Sequence, residues 1–421
     1  MCRCLGSTLV LVALTACGRP PAPLDEAARQ YVRLAVALGE RDPDALDFYA
    51  GPEAMVAGVR SHPPSLTEIR REAKALADSL TGRGSAGAGP DESTDAARAK
   101  ALAADLLAIE VRADLLAGVR RSFDDESRAF FGIAPEPVDD AQVDALRARI
   151  AERVGGGGRL VDRYAAFAAR FVVPADRLQS VMQASLDECR RRTLQHEKLL
   201  PGETATLAFV RDRPWSAFSR YLGDGRSTIQ INTDFQFTVD QVLQLACHEG
   251  YPGHHARSAR QAPSRGSASR PEQLVQLMFS PEGLDAEAAA MLAADAVFSA
   301  EERVQFEHDV LFPLAHLDPA GAAAHLAVEQ LVADLQIAQA GIARRFLDGE
   351  LEFARAAAAL EDRALVPHAE ALLKYLNEYR SYVTTYTTGR SRLAARLAAC
   401  AGTTPTRDRR WSCFESVTAP R

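Results

Sequence analysis

Apolar residues recur three and four positions apart along most of this chain, the spacing that gives a helix one apolar face. Leu24 to Gly39, Leu66 to Leu80, Asp95 to Val119, Ala141 to Val154, Leu160 to Phe171 and Ala175 to Leu194 all follow it, and each is rich in alanine, leucine and arginine. The pattern predicts a helix over each segment. Glycine-rich connectors, Gly82 to Pro90 (GRGSAGAGP) and Gly155 to Gly158, break the series. Between Thr204 and Thr233 the texture changes to short runs of β-branched and aromatic residues, with Gly223-Asp224-Gly225 as a turn, which predicts a small antiparallel β ribbon. Helical spacing returns at Val239 and lasts nearly to the end, interrupted by the polar loop Ala262 to Pro271. No repeat with a period of about 20 to 50 residues runs through it, so a solenoid is excluded. The expected fold is mainly α, a multi-helical body with the ribbon set beside the helix that begins near Val239.

Composition adds bounds. With 47% hydrophobic and 25% charged residues in 421, the chain has an ordinary globular balance and enough length for a large core. A formal charge of −7 and the lack of a basic patch argue against nucleic acid as a partner. At the start, Arg3, the apolar run Leu9 to Leu14 and the small residues before Cys17 read as a secretory leader, residues 1–16. The run is too short to span a bilayer. Leu14-Thr15-Ala16-Cys17-Gly18 resembles a bacterial lipobox, which implies lipid on Cys17 and a membrane tether, and Gly18 resembles the signal for the outer membrane. Arg19 to Pro23 (RPPAP) then serves as a stiff spacer within a linker of residues 17–24. The rest, 25–421, is expected to be one domain: N-terminal helices to 200, a central part 201–300, C-terminal helices 301–398 and a tail 399–421. In an oxidising compartment Cys400 and Cys413 can close that tail, whereas Cys189 and Cys247 sit in helical patterns and read as small buried apolar groups.

The chemistry concentrates in CHEGYPGHH. His248, His254 and His255, three of nine histidines, lie within eight residues together with Glu249. Phe237 to Gln241 reads as a helix start, with Thr238 and Gln241 as a capping box, and Val242, Leu243, Leu245 and Ala246 give an apolar face leading to His248. The common zinc pattern puts histidines four apart on one helical face, but here the fourth position after His248 is Pro252. In an unbroken helix His254 and His255 would lie about 9 to 10.5 Å further along the axis, too far to share an ion that each nitrogen must approach to about 2.0 to 2.1 Å. Pro252 and Gly253 can supply a break, since proline removes a helical hydrogen bond and glycine admits unusual backbone angles. The same residues also read as a plain helix C-terminus with histidines near its dipole. Spacing alone leaves both readings open.

HEGYPGHH resembles the HExxPGHH signature of the bacterial DUF885 family, which is itself similar to gluzincin metallopeptidases. Three further stretches follow the same order: Arg41-Asp42-Pro43 with Tyr49 to Pro52, Phe279 to Gly283 against the start of an EGWALYAE segment, and Tyr386 to Arg390 against YxxGR. The resemblance implies a gluzincin-like body, one zinc ion and a third ligand at Glu282. A capped helix start at Ser280 and Pro281 would equally favour a glutamate there. It leaves His254 and His255 as alternative second ligands, with His254 preferred because its Gly-His step resembles the HExGH form. Leu284, Asp285, Ala286 and Glu287 depart from the family's Trp, Ala, Leu and Tyr.

With zinc in place, Glu249 is the expected general base, and Tyr386 the expected hydroxyl donor to an oxyanion, a tyrosine that reads equally well as a buried core aromatic. Ser227 to Asn232 is the expected edge strand for an extended peptide. The expected function is a zinc metallopeptidase acting on peptides or related amides in the cell envelope, lipid-anchored and facing the periplasm. The alternative is a catalytically silent envelope lipoprotein that keeps the scaffold for binding, an alternative kept open by the departures after Gly283. The remaining histidines, His62, His196, His308, His316, His325 and His368, have no ligand spacing, and no GxSxG is present.

Overall fold

The computed structural model describes residues 23–81, 90–135, 137–265 and 270–418. The leader, Cys17, most of the spacer and most of the Gly82 to Pro90 connector lie outside the described residues. The molecule is mainly α, 69% helical with 8% strand. The first helices are α1 (Pro23–Gly39), α2 (Glu53–Ser61), α3 (Leu66–Thr81), α4 (Pro90–Leu116), α5 (Phe123–Phe131), α6 (Asp140–Val154), α7 (Leu160–Ala168) and α8 (Leu178–Thr193). They fall close to the six segments of helical spacing, with α2 and α5 in addition. Among the described residues, helices α9 (Val239–Glu249), α10 (His254–Arg265) and α11 (Pro281–Met291) form the centre. The chain then continues almost wholly as helix to Thr418.

Helix ends follow local chemistry. Thr238 caps α9 in the expected capping box, with Gln241 bonding back to the Thr238 amide. Ser280 caps α11 by accepting from the Gly283 amide at 2.9 Å, and Pro281 takes the first turn, where a missing N–H costs nothing.

Among the described residues two small sheets complete the fold. β1 (Leu46–Tyr49) pairs antiparallel with β5 (Val275–Leu277), joining the N-terminal helices to the segment that leads into α11. The second sheet holds β2 (Thr204–Val210), β3 (Ala217–Gly223) and β4 (Arg226–Asn232) in the order β2-β4-β3. β3 and β4 form the expected antiparallel hairpin, turned by Asp224 and Gly225 at positive φ. β2 adds a parallel partner on the far side of β4. β4 is therefore central rather than an edge, which corrects the expectation for Ser227 to Asn232.

The largest apolar core gathers α6 to α9 with the helices that follow α11, and α1 to α4 build a second around Val32, Ile69 and Leu106. Both disulfides lie in or beside the first. Cys400–Cys413 closes the tail as expected. Cys189 and Cys247, read from the sequence as separate apolar groups, are bonded to each other across the α8–α9 packing. Their pairing follows from two helices lying side by side, 58 residues apart in the chain, and no local spacing announces it.

Candidate metal centre

α9 carries His248 and Glu249 in its last turn and ends there; α10 starts at His254. Between them Gly250 to Gly253 interrupt the helix, with the Gly253 amide returning to the Cys247 carbonyl at 3.1 Å. Gly253 is required by that return, because a Cβ on it would sit 1.8 Å from the His248 carbonyl oxygen. The bend brings the two rings together: His248 Nε2 and His254 Nε2 are 3.2 Å apart. Glu287, from α11, faces both, with its Oε1 3.1 Å from His248 Nε2 and its Oε2 3.4 Å from His254 Nε2.

Two nitrogens bound tetrahedrally to zinc at about 2.0 to 2.1 Å would be about 3.3 Å apart, by simple trigonometry. The two imidazole nitrogens stand close to that spacing, and Glu287 turns one oxygen toward each of them. His248, His254 and Glu287 are also, among the described residues, the only group of three potential ligands gathered closely enough to hold a metal.

The three groups are electrostatically coupled. Burial opposes the charge on Glu287, yet the imidazoles of His254 and His248 hold its carboxyl well below the usual range. Burial likewise opposes protonation of His254, but Glu287 outweighs it and raises the ring to about 9. Glu249, buried beside His248 at 3.9 Å, is pushed upward chiefly by burial, opposed by the two imidazoles and reinforced by Glu287 and Asp47. It is a carboxylate with raised proton affinity.

The centre opens into a cavity of about 1140 Å³. Tyr375, Tyr382 and Tyr386 form one wall, and Tyr386 lies in a π-helical turn, Thr385–Gly389, of the kind that recurs at functional sites. Tyr382 donates to Glu287 Oε2 at 3.1 Å. The Tyr386 hydroxyl is 3.3 Å from that of Tyr375, and burial pushes its pKa well up, so the phenol keeps its proton. Ala217 to Arg220 of β3 line another wall.

Two of the expected ligands lie elsewhere. His255 is fully buried with both ring nitrogens engaged, Nδ1 with Ser227 Oγ at 2.8 Å and Nε2 with Glu203 Oε2 at 2.9 Å. A carboxylate only accepts, so Nε2 carries the proton, and neither nitrogen is free for a metal. Glu282 is 44% exposed and faces Arg257 at 3.5 Å. It stands at the start of α11, and five residues at about 100° each turn Glu287 to a different side of the helix. The carboxylate that stands beside the two imidazoles is thus Glu287, and not Glu282 as expected. A signal was present: Glu287 sits among Ala286, Ala288, Ala289 and Ala290, all buried, and a carboxylate in such a stretch needs a buried partner.

No family model and no curated protein matches this chain. A solved structure from Shewanella oneidensis, of a candidate lipoprotein of unknown function, is similar with a TM-score of 0.43 and 13% identity over 86% of this chain and 75% of that one.

Proposed function

We propose that this protein is a zinc-dependent hydrolase of peptide bonds or a related amide. The observation that carries this reading is the convergence of His248, His254 and Glu287 at separations suited to one ion, next to a buried Glu249. Two histidines and a carboxylate are a ligand set that hydrolases use while leaving a fourth position open. A zinc ion held there supplies Lewis acidity toward a carbonyl oxygen and acidifies water.

The chain's own residues carry the rest. Glu249, with its proton affinity raised, takes the proton from the attacking water and returns it to the departing amine. Tyr386, which keeps its phenolic proton, donates to the oxygen where negative charge develops. Tyr382 orients Glu287 from behind. β3 pairs with β4 alone among the described residues and lines the cavity, so its open edge suits an extended peptide. The resemblance of HEGYPGHH to the DUF885 and gluzincin pattern supports the same class. The lipobox-like Cys17 supports an envelope location, anchored by lipid and facing the periplasm; among the described residues no helix is long and apolar enough to cross a membrane.

The test is metal analysis of the protein purified without chelator, together with a peptide-library assay. Glu249→Gln should retain zinc and lose turnover. Wild type that holds no divalent ion, or a mutant that still cleaves, removes the proposal.

A further inference from the structure

The bend between α9 and α10 is held from outside by two consecutive residues of α8. Cys189 is bonded to Cys247, the residue before His248. Arg190 grips Glu203 Oε1 through Nε at 2.9 Å and Nη2 at 2.6 Å. The other oxygen of Glu203 accepts from Tyr251 Oη at 2.6 Å and from His255 Nε2 at 2.9 Å. Tyr251 and His255 flank Pro252 and Gly253, so one carboxylate oxygen ties both sides of the bend. Ser227 of β4 fixes the remaining nitrogen of His255. One stretch of α8 thus fastens the residue before the first imidazole directly and the residue after the second through Glu203.

Building on the metal reading above, we propose that Cys189, Arg190 and Glu203 are positioning residues that set the separation of the two imidazoles. None of them touches the ion or substrate. The backbone between His248 and His254 includes Gly250 and Gly253, and without external ties small rotations there would separate nitrogens that must stay within a few tenths of an ångström of their places to share an ion. The Glu203 carboxylate is well suited to the task. Burial opposes its charge, but Tyr251, His255 and Arg190 together hold its pKa low, so it remains a charged acceptor for all of them. Groups that orient ligands from behind in this way contribute to affinity for the metal.

The competing account is that these ties only stabilise the fold, and the two differ in what they predict for affinity. Zinc affinity is measured by competition with a chromogenic chelator, alongside the unfolding temperature of chelator-stripped protein. The variants are Arg190→Ala, Glu203→Gln and the double change Cys189→Ala with Cys247→Ala. Each should weaken zinc by about 10- to 100-fold. The double change Cys400→Ala with Cys413→Ala, which removes the disulfide remote from the bend, should lower the unfolding temperature and leave affinity unchanged. Arg190→Ala alters a side chain that is 45% exposed, so it decides the matter even should the Cys189 and Cys247 variant fail to fold. Variants that bind zinc within about threefold of wild type, a change smaller than outer-shell losses, while unfolding earlier overturn the positioning role. Wild type that binds no zinc overturns the parent reading, and this one with it.

Discussion

His254 and His255 are neighbours in the chain and opposites in their surroundings. His254 turns into the cavity, where its Nε2 meets another imidazole and a carboxylate. His255 turns away into a buried network that satisfies both its nitrogens. One residue type thus serves two purposes within one turn of α10. The difference lies in where the hydrogen bonds go: a ring already saturated by protein partners cannot ligate, and a ring gathered with a second imidazole and a carboxylate at a cavity can.

The sharpest way to break this contrast is to remove one member of each set. Glu287→Ala or His254→Ala should weaken zinc by more than roughly a hundredfold, beyond the range for outer-shell changes. Glu282→Ala should leave it near wild type in the same competition titration. Equal losses at 282 and 287 would mean that the cluster is not the site. His255→Ala should show a different profile. It deprives the buried Glu203 carboxylate of a partner and should cost about 3 kcal/mol in denaturant unfolding of the metal-free protein, with a smaller loss of zinc affinity.

Proton competition sharpens the same contrast. His254 is held protonated up to about 9 in the metal-free protein, so zinc must displace that proton. Affinity should therefore rise about tenfold per pH unit below about 9 and level off above it, with one proton released per ion in calorimetry across buffers. In the metal-free fold the sign is the reverse. The raised pKa contributes stability that is fully present below the unfolded value of 6.5 and lost as pH rises through about 9. Among the variants expected to lose affinity, a small effect is expected from Tyr382→Phe, which removes one donor to Glu287 and should weaken zinc by about tenfold.

Much of this was legible in the residues. The capping box at Thr238, the break at Pro252 and Gly253 and the tail disulfide are all local: each is settled by residues no more than 13 positions apart. What the sequence left open depends on contacts between distant segments. Which of the two rings faces His248 depends on Glu203 and Ser227, from the strand region, which hold His255 away. The Cys189–Cys247 pairing, the β1–β5 sheet and the parallel strand β2 arise only when helices and strands far apart in the chain are brought side by side. Glu287 lay between these cases. Its alanine surroundings marked it as buried, but the resemblance drew attention to the first glutamate of the segment, and only the rotation of α11 separates the two.

The return of Gly253 onto the His248 carbonyl leaves no room for even one methyl group. In a library randomised across positions 251 to 253 and panned on immobilised zinc, position 253 would therefore come back as a single letter, whatever diversity the neighbouring codons retain.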